Sequence, residues 1–234
     1  MKYEVGTFVH VCARGTRRLP IVHNDQDRWH FLELLYYVNH AESRRNLFRE
    51  LQEIKAENKT KKLFFWPPFW GERKPIVNVV AYALVENHYH LLLEALRENG
   101  ISLFMQKVGT GMAKYYNQKY ATSGNVFQGR YRAKIVDTNE YLSYVSAYIQ
   151  AKNILELYPR GLGIAMKELD KAFQWAIECP FGSLGNYAGA RDFPIIEKSV
   201  LGSMFSAPGS YKKFAKECLE GMNLERKLGS LTLE

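Results

Sequence analysis

The stretch IVNVVAYALVENHYHLLLEA, residues 76–95, decides the fold. Its β-branched and aromatic residues predict two strands, Ile76–Val85 and His88–Ala95, separated by a tight turn at Glu86 and Asn87. Two strands joined by so short a connection pair in antiparallel fashion. The sequence therefore places a β-hairpin near the middle of the chain.

The second predicted strand opens with two histidines, His88 and His90. Because side chains alternate between the faces of a strand, residues two apart point the same way. Both imidazoles would then project from one face, at a spacing that can hold one metal ion. A histidine pair on a half-buried strand is also typical of ordinary polar positions, so the spacing alone leaves both interpretations open.

Strands and helices intermix on both sides of this hairpin. The patterns predict a strand at Thr7–Ala13, a helix from Asp25 to about residue 54, a helix over about Ser102–Lys119, a strand at Tyr131–Val136 and a helix from Asp137 to about Lys152. Asp25 and Asp137 are the predicted caps, and Glu140 completes a capping box with Asp137. Gly109 and Gly111 weaken the prediction of the middle helix. This order favours an α+β fold with a ferredoxin-like antiparallel sheet and helices packed on it.

The pattern of predicted secondary structure changes after Pro159. Helices are predicted near residues 164–178 and 209–221, with an irregular glycine-containing segment between them. We therefore expect two parts, a first domain at residues 1–158 and a mostly helical C-terminal extension at residues 159–234 that packs on it.

Composition limits the class of protein. The 234 residues are 47% hydrophobic, enough for a sizeable core, and carry a net charge of +8 with a pI of about 9.3. A basic balance of this size is compatible with a nucleic-acid partner. The three cysteines, Cys12, Cys179 and Cys218, form no Cys-x-x-Cys pair, which argues against a disulfide framework or a structural zinc site. With neither a signal peptide nor an apolar run of about 18 residues, we expect a cytoplasmic protein with no membrane contact.

Residues 57–74 combine basic and aromatic side chains and are predicted to be irregular. The basic residues are Lys59, Lys61 and Lys62, and the aromatic run is Phe64–Trp70, with two prolines inside it. Two interpretations stay open: a DNA-binding loop, or an insertion whose aromatic residues pack on the body of the protein or on a second subunit. The second is favoured.

The last predicted helix of the domain carries tyrosines at positions 141, 144 and 148, at spacings that place them along one face. Beside an apolar stripe, such tyrosines are commonly packing residues. Beside a metal site they have a chemical use, because a phenolate can attack a phosphodiester and form a covalent phosphotyrosine link. A divalent cation would orient the phosphate and neutralise its charge.

Several sequence blocks, in order, resemble the REP-associated tyrosine transposases, a branch of the single-tyrosine HUH transposase family. The blocks are Phe8–Gly15, Ala83–Leu93, Ser102–Gln106, Ser123–Tyr131 and Glu140–Ile149. The resemblance covers residues 5–155 well and the remainder loosely. It implies the HUH endonuclease fold, with His88 and His90 holding Mg²⁺ or Mn²⁺ and Tyr148 as the nucleophile.

The reaction that the resemblance implies is metal-dependent cleavage and rejoining of single-stranded DNA. Tyr148 would become linked to the 5′ end of the cut strand, at hairpin-forming repeats, in DNA transposition or repeat mobilisation. The implied partner is single-stranded or hairpin DNA. The wider family contains dimers that exchange this helix, whereas the REP-associated group looks monomeric, so both a monomer and a homodimer stay open.

The chain departs from the family at the third metal ligand. Relatives carry Asn or Gln about four residues after the nucleophile, but Lys152 stands there, and an ammonium cannot bind a cation. Asn153 is one residue further on and would need a local bulge, or the end of the helix, to turn inward. His10 on the first strand is another candidate ligand, or an ordinary strand histidine.

DNA contacts are expected from basic and polar residues within or beside the matching blocks. The candidates are Arg14, Arg17, Gln128, Arg130 and Arg132, with Arg18 and Lys134 nearby. Each arginine is equally compatible with a solvated surface charge. Two rival functions also stay open. One is a DNA-binding protein of the same fold that has lost catalysis, favoured by Lys152, and the other is an RNA-binding protein on the same kind of sheet.

Overall fold

The chain folds around one four-stranded antiparallel sheet. The computed structural model describes residues 2–60, 62–207 and 209–220. The strands are β1 at Phe8–Arg14, β2 at Val77–Leu84, β3 at His88–Ala95 and β4 at Arg132–Val136. They are ordered β2-β3-β1-β4, and every neighbouring pair is antiparallel. This is the ferredoxin-like arrangement, so the predicted α+β fold is confirmed.

Helices lie between and after the strands. They are α1 at Asp25–Tyr37, α2 at Leu47–Glu57, α3 at Gly100–Lys119, α4 at Asn139–Ala147, α5 at Leu162–Lys167, α6 at Leu169–Glu178, α7 at Leu184–Tyr187, α8 at Ser199–Met204 and α9 at Ser210–Glu220. Short 3-10 turns occur at Thr16–Arg18, Pro68–Trp70 and Ile154–Leu157, and a π-helical turn occupies Tyr148–Lys152.

The two faces of the sheet have different coverings. Tyr89 points to the face on which α1 packs, where its ring centroid lies 4.7 Å from that of Phe31. His90, the next residue, points to the opposite face, where its ring lies 5.9 Å from the ring of Tyr148. The first face builds the core with α1 and α3, and the second carries the histidines.

Two predicted helices are wrong in extent. The helix predicted over 25–54 ends at Tyr37, because the buried Asn39 side chain accepts a hydrogen bond from the Ile76 N–H at 3.0 Å. The chain then begins α2 only at Leu47. The helix predicted over 164–178 is divided into α5 and α6 at Glu168.

Two predicted caps are also wrong, each by one residue. Asn24, not Asp25, caps α1, and its side chain accepts a hydrogen bond from the Asp27 N–H at 3.1 Å. Thr138, not Asp137, caps α4 in the same manner. Asn and Thr serve in this role as well as Asp, so the sequence offered two adjacent choices at each position.

The glycines in α3 do not interrupt it. A Cβ at Gly111 would fall 2.5 Å from Cδ2 of Leu34, so the glycine allows α1 to approach α3 closely. The last predicted helix, 209–221, is found at Ser210–Glu220, and residue 221 lies outside the described residues.

The C-terminal extension covers the outer edge of β2. The N–H of Leu84 donates to the Phe181 carbonyl at 2.9 Å, and the N–H of Ser183 donates to the Tyr82 carbonyl at 3.0 Å. Backbone groups on an exposed edge strand invite pairing with other chains, and here the extension occupies them. The division at residue 158 stays a prediction, and residues 221–234 lie outside the described part.

The aromatic segment packs on the body of the protein, which was the favoured interpretation. Tyr37 accepts a hydrogen bond from the Phe65 N–H at 2.9 Å, and the Trp70 ring nitrogen donates to Glu50 at 2.8 Å. Phe69 is the exception, being 69% exposed. Lys61 lies outside the described residues. Within those residues, no helix is both long enough and apolar enough to span a bilayer.

Candidate active site

Both histidines of the pair lie on the same face of β3. Their ring centroids are 5.0 Å apart, and both side chains are buried. In the register with β1, His88 stands opposite Arg14 and His90 stands opposite Cys12. Opposite residues of an antiparallel pair share a face, so a basic residue and a thiol flank the histidines.

Neighbouring side chains fix how each imidazole is oriented. Nδ1 of His88 lies 2.7 Å from Oδ1 of Asn87, an atom that only accepts hydrogen bonds. If Nδ1 of His88 donates in this contact, the lone pair of a neutral ring would be on Nε2. Nδ1 of His90 lies 2.9 Å from Nε2 of His10. A proton on Nδ1 of His90 would likewise leave the lone pair of its Nε2 for a ligand.

The ionisation of His90 suits a metal ligand. Burial lowers the pKa of His90 well below its ordinary value, and the nearby His10, His88, Lys152 and Arg14 lower it further. The ring is therefore neutral at pH 7. Neutral imidazole is the form that binds a cation.

His10 contacts the Nδ1 side of the His90 ring. Its ring centroid is 5.1 Å from that of His90, and the two rings share the contact through Nδ1 of His90. A group that holds the far nitrogen of a metal-binding histidine fixes its tautomer and orientation. The geometry favours this supporting role for His10 over direct ligation.

Tyr148, at the start of the π-helical turn, packs against the histidines on this face of the sheet. Its ring lies 5.9 Å from the ring of His90 and 6.3 Å from that of His10, edge-on to both. Tyr144, one turn earlier, packs instead on Phe214 of α9, at 5.6 Å. Of these two tyrosines from the predicted stripe, Tyr148 is therefore the one whose ring lies over the histidines.

Tyr148 begins a π-helical turn. The N–H of Asn153 bonds to the carbonyl of Tyr148 at 3.1 Å, a five-residue span that inserts one residue into the helix. This is the local bulge that an inward-facing Asn153 requires. Asn153 is fully buried, and neither its Oδ1 nor its Nδ2 has a hydrogen-bond partner in the described structure.

Lys152 does not occupy the ligand position. Its Nζ lies 5.2 Å from the centre of the Tyr148 ring and 3.3 Å from a carboxylate oxygen of Glu156. The ammonium is therefore placed over the face of the phenol, where a cation favours negative charge on the ring oxygen.

The donor set fits a divalent cation. Nε2 of His90 and Oδ1 of Asn153 are both buried without a hydrogen-bond partner in the described structure, and each has a lone pair for a metal. His88 supplies a second imidazole on the same face. Among the described residues no group of three or more His, Cys, Asp or Glu side chains is positioned to hold a metal.

A basic cavity of about 570 Å³ lies on the same face of the sheet. It is lined by Cys12, Arg14, Arg17, Arg18, Gln128, Gly129, Arg130 and Arg132. All five residues predicted to contact DNA are in this set. Its two walls are joined by backbone, since the Gln128 N–H donates to the Arg14 carbonyl at 2.9 Å. Cys12, opposite His90 in the register, connects the cavity to the histidines.

Asn87 is the site residue that the sequence reasoning missed. It was read as a turn residue, yet its side chain orients His88 and also donates to the Arg18 carbonyl at 3.1 Å. Its position directly before the histidine pair was the available signal, because metal-binding histidines generally have a polar partner on the second nitrogen.

Comparison with known proteins finds a matching family model and similar solved structures. Residues 72–152 match the model of the IS200-like transposase family. A solved structure described as a REP-associated tyrosine transposase bound to a REP hairpin is 10% identical, with a TM-score of 0.46, over 84% of this chain and 87% of that one. No curated protein sequence matches significantly.

The family match spans β2 to the π turn, and thus contains His88, His90 and Tyr148. Over residues 72–152 the chain is therefore similar to the IS200-like transposase family, in agreement with the resemblance expected from its motifs.

Proposed function

We propose that the protein is a metal-dependent single-stranded DNA endonuclease and strand transferase in which Tyr148 is the nucleophile. One observation carries the proposal. The Tyr148 ring stands over His90 on the sheet face that also carries the arginine-lined cavity. A nucleophile, a candidate cation site and a polyanion-binding surface thus lie on one face.

We assign the cation to His88, His90 and Asn153, with His10 and Asn87 orienting the two imidazoles. Imidazole and amide oxygen ligands suit Mn²⁺ at least as well as Mg²⁺. When bound there, the cation would polarise the scissile phosphate and neutralise its charge.

The phenol oxygen of Tyr148 attacks phosphorus as its proton leaves. A Tyr–O–P bond forms, the bond from phosphorus to the 3′ oxygen of the neighbouring nucleotide breaks, and that oxygen is protonated to a 3′ hydroxyl. The 5′ phosphate of the cut strand stays on the tyrosine. Attack by a 3′ hydroxyl in the reverse direction rejoins or transfers the strand, since the phosphoester bond is kept.

Lys152 assists by its charge rather than as a ligand. With Nζ 5.2 Å from the ring centre, it stabilises the phenolate that forms when Tyr148 loses its proton. Tyr148 is fully buried, so its hydroxyl has to become accessible before a phosphate can reach it.

The arginine cavity supplies the DNA-holding surface. Five guanidinium groups, from Arg14, Arg17, Arg18, Arg130 and Arg132, line it. Guanidinium groups bind phosphate oxygens in a bidentate geometry, which fixes the path of the backbone. Hairpin-forming repeats are the proposed substrate, as the family resemblance implies.

The test is covalent capture. Labelled single-stranded hairpin DNA is incubated with the protein and Mn²⁺, and protein–DNA adducts are resolved on a denaturing gel. We expect an adduct that requires Mn²⁺ and disappears in Tyr148→Phe. Tyr144→Phe is the matched control, because it removes a hydroxyl from the same helix and should still form the adduct.

An adduct that survives Tyr148→Phe, or none with the wild type, would rule out the mechanism. Binding without an adduct would favour a DNA-binding protein of this fold. Tighter binding of the same hairpin made of RNA would favour an RNA-binding protein.

A further inference from the structure

We propose that Tyr211 of the C-terminal extension is a positioning residue that holds the π turn, and with it Tyr148 and Asn153, in register. The functional part of this inference rests on the proposed DNA cleavage, whereas its structural part does not. Tyr211 lies in α9, remote in sequence from the tyrosine helix.

The Tyr211 hydroxyl joins two residues of the tyrosine helix. It donates to Oγ of Ser146 at 3.0 Å and accepts a hydrogen bond from Nε2 of Gln150 at 2.5 Å. Ser146 belongs to the last turn of α4, and Gln150 lies in the middle of the π turn. One hydroxyl thus connects the regular helix to the irregular turn that follows it.

The hydrogen bonds are sheltered from water. Ser146 and Gln150 are fully buried and Tyr211 is nearly so. Burial raises the pKa of Tyr211 well above its ordinary value, so the hydroxyl remains a donor at all working pH values. An unmade hydrogen bond at a buried amide or hydroxyl is costly. Loss of either contact would therefore leave a buried polar group of Ser146, Gln150 or Tyr211 without its partner.

The π turn needs such support. Helices of this type are rare and occur mostly as single turns, because the inserted residue disturbs the regular ladder. Return to an ordinary helix would rotate Gln150 away from Tyr211 and would change the position of Asn153 around the helix axis relative to Tyr148. The Tyr211 contacts therefore favour the register of the π turn, in which Asn153 is buried with its amide atoms unpaired in the described structure.

The Tyr211 ring is itself held firmly. Its centroid lies 4.9 Å from that of Tyr187 and 5.2 Å from that of Phe205. The hydroxyl consequently cannot follow the helix if the turn changes register. The extension therefore covers the sheet edge and also sets the geometry of the site.

The first experiment measures amide hydrogen exchange of residues 148–153 in the full chain, without DNA or metal. In Tyr211→Phe we expect this exchange to accelerate roughly tenfold, about the cost of a lost buried hydrogen bond. Tyr187→Phe is the matched control. It also loses a tyrosine hydroxyl, a half-buried one that donates to the Val80 carbonyl at 2.8 Å, and should leave residues 148–153 unchanged.

The second experiment measures adduct formation with hairpin DNA at varied Mn²⁺. Tyr211→Phe should need roughly tenfold more Mn²⁺ for half-maximal adduct, since a misplaced Asn153 weakens the cation site. Its affinity for the hairpin should stay within about twofold of wild type, because no arginine of the cavity is touched. A general loss of stability would affect both the Mn²⁺ requirement and the affinity for the hairpin, whereas the positioning role predicts a change in the Mn²⁺ requirement alone.

The outcomes are distinct. Unchanged exchange at 148–153 in Tyr211→Phe, or equal acceleration in Tyr187→Phe, would overturn the positioning role. If Tyr211→Phe fails to fold, Ser146→Ala removes the other end of the contact, and the same exchange measurement decides. A wild-type protein that forms no adduct would overturn the proposed function, while the exchange result would still confirm or overturn the role of Tyr211.

Discussion

Asn153 illustrates at the scale of one residue how an inserted position changes what a side chain can reach. Five residues of a regular α-helix turn the chain by about 500°, which would leave Asn153 roughly 140° away from Tyr148 around the axis. In the π turn one hydrogen bond spans those five residues, from the Asn153 N–H to the Tyr148 carbonyl. Lys152 then lies over the phenol and Asn153 is buried.

A second residue-scale feature lies on the helical side of the sheet. Asp27 is fully buried in α1, and its carboxylate accepts hydrogen bonds from Lys119 at 2.5 Å, Tyr120 at 2.6 Å and Tyr115 at 2.9 Å. Burial alone would raise the pKa of Asp27, but these bonds and one from the His23 N–H outweigh it and hold the pKa well below its usual range. Asp27 thereby ties the start of α1 to the end of α3.

We expect Asp27→Asn to lower the free energy of unfolding at pH 7 by about 3 kcal/mol, as for breaking a buried ion pair. A lowered carboxyl pKa stabilises the fold above the ordinary value of about 4 and loses that effect as the pH falls below it. The difference between wild type and variant in urea unfolding should therefore shrink from pH 4 downward. Asp25→Asn, two residues earlier, removes an exposed carboxylate that pairs with Arg28 and should change little. A difference that does not shrink at all between pH 4 and pH 2 would contradict this assignment.

Prediction from sequence succeeded unevenly at the residue scale. Strand periodicity was enough to place His88 and His90 on one face, because that period depends only on the backbone. The π turn had no signal in the residues 148–152 themselves, since its stabilising contact comes from Tyr211. The need for a bulge at Asn153 was foreseeable, but its presence was not.

At the scale of elements, the C-terminal segment Phe181–Ser183 acts as an added strand on β2. The ladder is completed by a side chain, because the Tyr82 N–H donates to Oγ of Ser183 at 3.0 Å. Both groups are buried. The extension and the sheet are therefore joined by backbone pairing and not by side-chain packing alone.

Ser183→Ala should lower the free energy of unfolding by about 2 kcal/mol, because it leaves the buried N–H of Tyr82 without an acceptor. The measurement is urea unfolding, with the midpoint shifted and the slope unchanged. Ser203→Ala removes a hydroxyl from the exposed side of α8 and should fall within about 0.5 kcal/mol of wild type. An equal effect of the two substitutions would show that the Ser183 contact does not secure the edge.

The elements that sequence placed correctly are those fixed by local pattern. The hairpin strands and α3 agree with prediction to within about two residues, the usual uncertainty of helix and strand ends. The helix predicted over 25–54 failed because Asn39 leaves the helix to bond the backbone of β2. A tertiary contact of this kind has no counterpart in local propensity.

At the scale of the whole molecule, the net charge is +8, and part of the positive charge is concentrated in one cavity. The arginine cavity gathers five guanidinium groups on the face that carries the histidines. Binding of a phosphate backbone there would release counterions, so affinity should fall as salt rises. The proposed function therefore predicts a salt dependence to which the cavity contributes directly.

We expect Arg130→Gln to weaken hairpin DNA binding and to reduce the slope of log K against log salt by about one. Fluorescence anisotropy over a range of NaCl concentrations measures both. Arg49→Gln is the matched control, because it removes the same charge from α2, outside the cavity, and should leave the slope unchanged. Equal changes in slope for the two variants would mean that net charge, and not the cavity, governs binding.

The most direct test of the central claim is to map the covalent adduct. The wild-type protein is reacted with hairpin DNA and Mn²⁺, the DNA is trimmed with nuclease, and tryptic peptides are sequenced by mass spectrometry. We predict a nucleotide 5′-phosphate on Tyr148, in the peptide that ends at Lys152. A modification on Tyr141, Tyr144 or any residue other than Tyr148 would contradict the account.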